Sequence, residues 1–272
     1  MQELNPEYLL AAAIDVAIEA GREVVEVYNS PQTDWQVEQK ADHSPLTLAD
    51  RRAHTVIAQG LHRYTDIPLL SEEGAQASYA LRRDYKLLWV VDPLDGTKEF
   101  IKRNGEFTVN IALVEDGIPL LGVVYAPVLD TLYYGLSGTG AFKALSVADY
   151  RAGRVSRLPL PQGPREFTVV ASRSHLSRET QAYIDQLQLE HGSLRMVSAG
   201  SSLKICLVAE GTADVYPRLA PTMEWDTAAG HAVIRAAGGT LMTADTAHAL
   251  VYNKEDLHNP WFVVTAPPRL AD

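Results

Sequence analysis

The feature that most constrains this chain is the apolar run Leu87 to Val91, together with the acidic turn that follows it. A short, uninterrupted apolar run of this kind is typical of a fully buried strand. It leads directly into Asp92-Pro93-Leu94-Asp95-Gly96. Carboxylates at the end of a buried strand lose water and repel each other, so at neutral pH they need a cation or a proton. The proline fixes the backbone and the glycine permits close approach, which lets both acids and the Leu94 carbonyl surround a hard cation. The same pattern is equally typical of a β-turn capped by aspartate.

Two further groups of acids stand at the ends of predicted elements. Glu72 and Glu73 follow the apolar stretch Ile67 to Leu70, so they also lie at a strand end. Asp226 begins a helix whose small residues permit close packing. Taken alone, Asp226 is most typical of an N-cap, and the two glutamates are most typical of solvated loop residues. Together with the aspartates after Val91, these acids predict one carboxylate-rich site.

Hydrophobic spacing and turn residues predict two lobes. One helix begins at Asn5-Pro6-Glu7, and a second begins at a capping box formed by Thr47 and Asp50. Strands follow these helices, and beyond the proline- and glycine-rich segment Arg151 to Arg165 strands and helices alternate. We therefore expect one catalytic unit over residues 1–268, with an α+β metal-binding lobe at 1–155 and an α/β substrate-binding lobe at 165–268.

Charge and cysteine content exclude several classes of protein. The 34 acidic and 24 basic residues give a net charge of -10, which argues against a protein that binds nucleic-acid polymers. The single cysteine, Cys206, excludes an intrachain disulfide and a cysteine-based zinc site. The first 21 residues lack the basic region of an export signal, and no apolar run approaches the roughly 18 residues of a spanning helix. We therefore expect a cytoplasmic protein.

Two motifs carry a resemblance to a known family. Asp92 to Thr97 and Trp225-Asp226-Thr227-Ala228-Ala229-Gly230 resemble the signatures of the inositol monophosphatase superfamily of Mg²⁺-dependent, Li⁺-sensitive phosphatases. The segments Lys98 to Asn110 and Gly200 to Lys204, with Tyr216-Pro217-Arg218, are similar to bisphosphate nucleotidases of the bacterial CysQ type. The resemblance covers nearly the whole chain. It implies a layered αβαβα sandwich of the inositol monophosphatase and fructose-1,6-bisphosphatase type.

The resemblance also implies roles for individual residues. The metal ligands would be Glu72, Asp92, the Leu94 carbonyl, Asp95 and Asp226, which would hold two or three Mg²⁺ ions. Glu73 is the less favoured acid of its pair. Asp50 and Thr97 match the pair that activates water, with the Thr97 hydroxyl passing a proton towards Asp50, and Glu72 is counted with them as catalytic. Hard oxygen ligands without histidine or cysteine favour magnesium over zinc.

A further set of residues is expected to contact the substrate. The Gly96 and Thr97 N–H groups would cradle the phosphate that is cleaved, and Ser201, Ser202 and Lys204 would hold a second phosphate. Ser201 is equally typical of a plain N-cap, whereas the resemblance makes an ordinary surface lysine the less favoured interpretation of Lys204. His175 would stack on an adenine ring or stand solvated in a loop, and Arg218 would approach the base or a phosphate. The full predicted substrate-binding set is Glu72, Leu94, Asp95, Gly96, Thr97, His175, Ser201, Ser202, Lys204 and Asp226.

These roles together predict a reaction. The resemblance implies hydrolysis of the 3'-phosphate of adenosine 3',5'-bisphosphate (PAP) to AMP and phosphate, as part of sulfate assimilation, by direct in-line attack of water. An inositol or sugar phosphate phosphatase remains open, because the core motifs contact only the shared phosphoryl group. A non-catalytic metal or nucleotide sensor is disfavoured by the presence of Asp50 and Thr97. The resemblance also allows peripheral association with the inner membrane, although no basic amphipathic segment supports it.

Overall fold

The N-terminal helices begin where their capping residues predict. In this computed structural model, which describes residues 5–40, 45–171 and 177–268, the Asn5 side chain accepts hydrogen bonds from the N–H groups of Glu7 and Tyr8. The capping box of Thr47 and Asp50 begins the second helix. The helices are α1 (Pro6–Asn29), α2 (Leu48–His62), α3 (Tyr79–Arg82), α4 (Thr97–Ile101), α5 (Val147–Arg151), α6 (Arg178–His191), α7 (Leu203–Ala209) and α8 (Glu224–Ala236).

Most of the strands form two sheets. A short hairpin pairs β1 (Glu38–Gln39) with β2 (Pro45–Leu46). The larger sheet has seven strands in sequential order: β3 (Leu69–Ser71), β4 (Leu87–Asp95), β5 (Thr108–Glu115), β6 (Ile118–Ala126), β7 (Thr131–Leu136), β8 (Gly140–Ala144) and β9 (Ser156–Leu158). Within this sheet, as far as the described residues form it, β3 pairs with β4 in parallel and every other pairing is antiparallel.

The second sheet lies in the C-terminal half of the chain. Its five strands are arranged in the order β11-β10-β12-β14-β13, and β10 pairs in parallel with both of its neighbours. The strands are β10 (Phe167–Ala171), β11 (Leu194–Ser198), β12 (Val215–Arg218), β13 (Thr240–Thr243) and β14 (Phe262–Thr265).

Helices and sheets alternate in layers around two main cores. Helices α1 and α2 cover one face of the larger sheet, where Ile14 and Val24 pack with Val91 and Ile111. Helices α7 and α8 lie between the sheets and pack on the other face, and α6 covers the outer face of the second sheet. The layers are therefore α1/α2, large sheet, α7/α8, small sheet and α6, which is the αβαβα sandwich that the resemblance implies.

The structure differs from the sequence-based expectation in the extent of two elements. Strand β4 continues through Pro93 to Asp95, and its register with β5 shifts between Asp92 and Asp95. Proline has no N–H to give to a ladder, so this irregularity accommodates it without breaking the strand. Strand β9 forms inside the segment expected to link the lobes and pairs with β8.

The topology brings the ends of several elements to one place. The parallel pair β3 and β4 delivers the residues that follow it to the same edge of the large sheet. The first turns of α2 and α8 and the start of α7 carry Asp50, Asp226 and Ser202. Among the described residues, no helix combines the length and the apolar character that a membrane crossing requires.

Candidate active site

Three aspartates form the centre of the site. Asp92 and Asp95 stand at the end of β4, and Asp226 lies in the first turn of α8. One oxygen from each carboxylate lies within 4.8 Å of the others. Glu72, which follows β3, joins them in lining a cavity of about 490 Å³. The structure therefore brings together acids that are separated by more than a hundred residues in the sequence.

Burial and mutual repulsion perturb these acids strongly. Burial is the main cause that raises the pKa of Asp92 well above its usual range, and the charges of Glu72, Asp95 and Asp226 raise it further. Burial and then Asp95 raise the pKa of Asp226 to about 8, against the effect of the hydrogen bond from the Met223 N–H. Carboxyls in this state are stabilised by a cation that replaces their protons.

The chemistry of the donors fits a hard divalent cation. Every side chain in the cluster offers carboxylate oxygens, and the described residues that line the cavity include no histidine or cysteine. Oxygen-only sites suit Mg²⁺, Ca²⁺ or Mn²⁺ and not zinc. The acidic cluster could therefore hold a metal ion.

Glu72 has a positively charged partner that the sequence did not predict. The Lys40 ammonium, just after β1, donates to Glu72 Oε1 at 2.7 Å and also contacts Glu73. Burial raises the pKa of Glu72, and Lys40 acts in the opposite sense. Lys40 is 32 residues from Glu72 in the sequence. No local pattern links residues so far apart, and only the fold places them together.

Asp50 and Thr97 lie side by side, as the resemblance implies. The Thr97 hydroxyl donates to Asp50 Oδ1 at 3.3 Å, and the Thr47 N–H and hydroxyl donate to Asp50 Oδ2 at 2.7 and 2.6 Å. Burial raises the pKa of Asp50 to about 7, while the bonds from Thr47 lower it. A carboxyl with this pKa can exchange a proton near neutral pH.

The serines expected to bind a second phosphate instead contact an acid of the cluster. The Ser201 hydroxyl donates to Asp95 Oδ2 at 2.7 Å, and the Ser202 N–H and hydroxyl donate to the same oxygen at 2.8 and 2.9 Å. In this structure both serines therefore hold Asp95 in place. Both also line the cavity.

Two positively charged side chains, Lys204 and Arg218, also line the cavity. Lys204 is only 8% exposed, and its ammonium donates to the carbonyls of Ala199 and Ser201 at 3.3 and 2.7 Å. Arg218, at the end of β12, donates to the Pro221 carbonyl at 3.1 Å. Its Nε is buried and has no partner among the described residues. Burial is the main cause that lowers the pKa of Lys204 to about 8, and the nearby Arg218 charge also lowers it.

Most of the predicted residues meet at this cavity. Gly96, at φ 93°, begins α4 in a backbone conformation that L side chains rarely adopt, which explains the need for glycine. His175 lies outside the described residues. The predicted residues that line the cavity are Glu72, Asp92, Leu94, Asp95, Gly96, Thr97, Ser201, Ser202, Lys204, Arg218 and Asp226. Sequence reasoning did not name Thr222 and Phe262, which also line the cavity, and it gave no role to Thr227, which lies there as part of the Trp225 to Gly230 motif.

Comparisons with known proteins agree with this architecture. The model of the inositol monophosphatase family matches residues 5–270. A crystal structure of CysQ from Bacteroides thetaiotaomicron, a bacterial member of that family, superposes with a TM-score of 0.86 at 52% identity, covering 95% of this chain and 97% of the other. This sandwich, with its acids at the end of β4, is the fold of the metal-dependent phosphatases of that family. The chain belongs to the inositol monophosphatase family.

Within the family, the chain is similar to one group of relatives in particular. The 3'(2'),5'-bisphosphate nucleotidase CysQ of Salmonella typhimurium is 46% identical over 258 residues, which is 94% of this chain and 99% of the relative. The CysQ protein of Escherichia coli K12 is 48% identical over 231 residues, 85% of this chain and 88% of the relative. The extragenic suppressor protein suhB of Bartonella henselae shares the fold, with a TM-score of 0.75 at 24% identity over 96% of this chain and 95% of the other.

Proposed function

We propose that this protein is a Mg²⁺-dependent 3'(2'),5'-bisphosphate nucleotidase that hydrolyses the 3'-phosphate of PAP to give AMP and phosphate. One observation carries the proposal: a single cavity is lined by a cluster of carboxylates and also by two cations, Lys204 and Arg218, that form no ion pair with a carboxylate among the described residues. The similarity to CysQ nucleotidases over most of the chain supports the same activity.

The carboxylates would bind the phosphate that is cleaved, through the metal ions that they hold. Glu72, Asp92, Asp95 and Asp226, with the Leu94 carbonyl, would hold two or three Mg²⁺ ions. Bound magnesium would neutralise the phosphoryl oxygens, lower the pKa of water and stabilise the leaving alkoxide. The first N–H groups of a helix have no acceptor within the helix, so the Gly96 and Thr97 N–H groups are available to the same phosphate.

Asp50 and Thr97 account for proton movement. The Thr97 hydroxyl donates to Asp50 Oδ1, so Thr97 can accept a proton from the attacking water while its own proton passes to Asp50. The Asp50 pKa of about 7 lets it take up that proton and release it again near neutral pH. The Thr47 donors hold the other oxygen, which keeps Asp50 aimed at Thr97. No covalent intermediate is required.

The cations Lys204 and Arg218 would bind a second phosphate. Within the described residues, neither Lys204 nor Arg218 has a carboxylate within ion-pair distance, and the Arg218 Nε has no acceptor. A cation as buried as Lys204 is costly without a counter-ion, and a phosphate would supply charge and acceptors both to it and to the half-buried Arg218. A substrate with two phosphates would place one at the carboxylate cluster and the other at Lys204 and Arg218. Inositol 1-phosphate has a single phosphate, which would occupy only the carboxylate cluster.

Substrate comparison tests this proposal. Phosphate release should be measured from PAP, inositol 1-phosphate and fructose 1,6-bisphosphate, each with Mg²⁺, with a chelator and with added Li⁺. We expect PAP to have the highest kcat/KM, and chelation to abolish turnover. A preference of about tenfold or more for inositol 1-phosphate would reject the substrate assignment. Full turnover in Asp92→Asn would reject the metal site.

A further inference from the structure

A buried network of hydrogen bonds lies directly behind the carboxylates, with Asn110 at its centre. Asn110 is 0% exposed on β5 and pairs with Asp92 across the sheet. Its amide nitrogen donates to Ser202 Oγ at 2.9 Å and to Asp95 Oδ2 at 3.3 Å. Its amide oxygen accepts from the Thr108 hydroxyl at 2.9 Å. All polar atoms of the Asn110 side chain therefore have partners.

The chemistry of these partners fixes the orientation of the Asn110 amide. An ionised carboxylate only accepts hydrogen bonds, so the nitrogen end of the amide must face Asp95. The oxygen end then faces the Thr108 hydroxyl, whose one proton is shared between Asn110 Oδ1 at 2.9 Å and Ser201 Oγ at 2.5 Å. A rotated amide would place its oxygen against the carboxylate, so the side chain has one favourable orientation.

Ser202 extends the network to a second acid-bearing segment. Its hydroxyl accepts from Asn110 and has one proton, which lies within reach of both Asp95 Oδ2 and the Asp226 backbone carbonyl, each at 2.9 Å. The end of β4, the start of α7 and the first turn of α8 are thus joined through one hydroxyl. Because Asn110 donates to the Ser202 hydroxyl oxygen, the proton of that hydroxyl points away from Asn110, towards Asp95 Oδ2 and the Asp226 carbonyl.

The network has a consequence for how Asp95 can bind a cation. Four donors lie within hydrogen-bond distance of its Oδ2: Ser201 Oγ, Ser202 N, Asn110 Nδ2 and Ser202 Oγ, whose one proton is shared with the Asp226 carbonyl. An oxygen with about two lone pairs is saturated by these donors. No described residue donates to Oδ1. We propose that Asn110 is a positioning residue which, through Ser202 and its own contact with Asp95, makes Asp95 a ligand through Oδ1 alone. This inference rests on the proposed function, because it takes the cluster to be a metal site.

The binding of Mg²⁺ to metal-stripped protein tests the role of Asn110. Asn110→Leu removes both amide donors and keeps a similar volume. Titration calorimetry should show about tenfold weaker binding of the tightest Mg²⁺, the usual effect of losing a group that orients a metal ligand. The KM for PAP at saturating Mg²⁺ should stay close to wild type, because Asn110 does not line the cavity. Thr108→Val should weaken Mg²⁺ binding in the same direction by a smaller factor.

A matched control separates positioning from general destabilisation. Val114 is 1% exposed on the same strand and, four residues along, faces the same side of the sheet as Asn110. Val114→Ala should lower the melting temperature and leave Mg²⁺ affinity unchanged. Wild-type Mg²⁺ affinity in Asn110→Leu, or an equal loss in Val114→Ala, would overturn the inference. If Asn110→Leu does not fold, unchanged affinity in Thr108→Val has the same meaning.

The same measurements keep this inference apart from the proposed function. Suppose that the wild-type protein binds Mg²⁺ but does not hydrolyse PAP, while Asn110→Leu binds Mg²⁺ more weakly. The substrate assignment then fails and the role of Asn110 stands. If the wild-type protein hydrolyses PAP and Asn110→Leu binds Mg²⁺ normally, only the role of Asn110 fails.

Discussion

At the scale of residues, each aspartate of the site has one oxygen held by the protein. In two of these aspartates the held oxygen accepts from a single backbone N–H group, and in the other two it accepts from an N–H group and from hydroxyls. This arrangement fixes the carboxylates and leaves the second oxygens of Asp92, Asp95 and Asp226 for a ligand, whereas the second oxygen of Asp50 accepts from the Thr97 hydroxyl. The anchoring donors are Thr47 N and Oγ1 for Asp50, Leu94 N for Asp92, Ser201 Oγ with Ser202 N and Oγ for Asp95, and Met223 N for Asp226.

Removing the Thr97 hydroxyl tests the proton pathway. Thr97→Val keeps the shape of the side chain but cannot donate to Asp50. We expect kcat for PAP to fall by about 10² or more, because general acid–base catalysis contributes on that order. Thr97→Ser retains a hydroxyl and should keep most of the activity. A Thr97→Val enzyme as fast as Thr97→Ser would show that the hydroxyl carries no proton.

Residue patterns predicted much of the site because its local chemistry is visible in short segments. The N-cap expected at Asp226 is wrong: α8 begins at Glu224, its N-cap is Met223, and Asp226 is the third helical residue. Its carboxylate accepts from the Met223 N–H and also lies in the acidic cluster. Lys40 was missed because its partners Glu72 and Glu73 are distant in the sequence. The contacts of Ser201 and Ser202 with Asp95 were missed for the same reason.

At the scale of elements, helix α8 ties the two sheets together and carries Asp226. It packs on β4 to β7 of the large sheet and also contacts β13 of the small one. Close approach to β6 requires glycine at position 122, because a Cβ atom there would lie 2.4 Å from the Ala229 carbonyl oxygen. The position of Asp226 thus depends on a residue that makes no contact with the site.

Gly122→Ala tests this dependence. The added methyl group would push α8 away from β6, and we expect a loss of about 1–3 kcal/mol in the free energy of unfolding. Urea unfolding measures it. Gly163→Ala is the control, since a Cβ atom at position 163 would meet nothing within 4 Å. Equal stability of Gly122→Ala and Gly163→Ala would contradict the close packing of α8 on the sheet.

Element boundaries were less predictable than element types. The sequence predicted the strand at Leu87 and its acids, but not that β4 continues through Pro93. A proline ends most strands, and only pairing with β5, through an irregular register, lets this one continue. Helix α7, Leu203–Ala209, coincides with an apolar run that is flanked in the sequence by serines and by Glu210-Gly211.

At the scale of the whole molecule, the net charge of -10 includes acids that the fold gathers in one cavity. Without a cation these acids repel each other and would repel a phosphate. In the proposed enzyme, Mg²⁺ bound by the same acids attracts the substrate. Part of the acidic character of the chain is therefore explained by the site itself.

The stability of the metal-free protein should depend on pH in a characteristic way. Burial raises the pKa of Asp226 from 3.8 to about 8 and moves that of Asp92 in the same direction, so the folded protein holds protons that the unfolded chain has lost. The contribution of the Asp92 and Asp226 carboxyls to stability is at its maximum below pH 3.8, their pKa in the unfolded chain. It is lost as the pH rises through their pKa values in the folded protein.

Melting temperatures at pH 7 and pH 8 measure this effect. In a chelator we expect a lower melting temperature at pH 8, with a loss of up to about 1.4 kcal/mol per proton released. The lowered pKa values of His54 and His231 affect the stability only below pH 6.5, and that of Lys204, about 8, affects it mainly above pH 8. These groups therefore contribute little to the change in stability between pH 7 and pH 8. With excess Mg²⁺ the decrease should vanish. A higher melting temperature at pH 8 in the chelator would contradict the protonated cluster.

The central claim is that one cavity binds two phosphates, one at the carboxylates and one at Lys204 and Arg218. It is tested most directly by the ratio of kcat/KM for PAP to that for 3'-AMP, which lacks the second phosphate, in the wild-type enzyme and in Arg218→Met. We expect a wild-type ratio well above one that falls by about tenfold or more in the variant, because a charge-assisted hydrogen bond is lost. Equal kcat/KM for the two substrates, or a ratio unchanged in Arg218→Met, would contradict the claim.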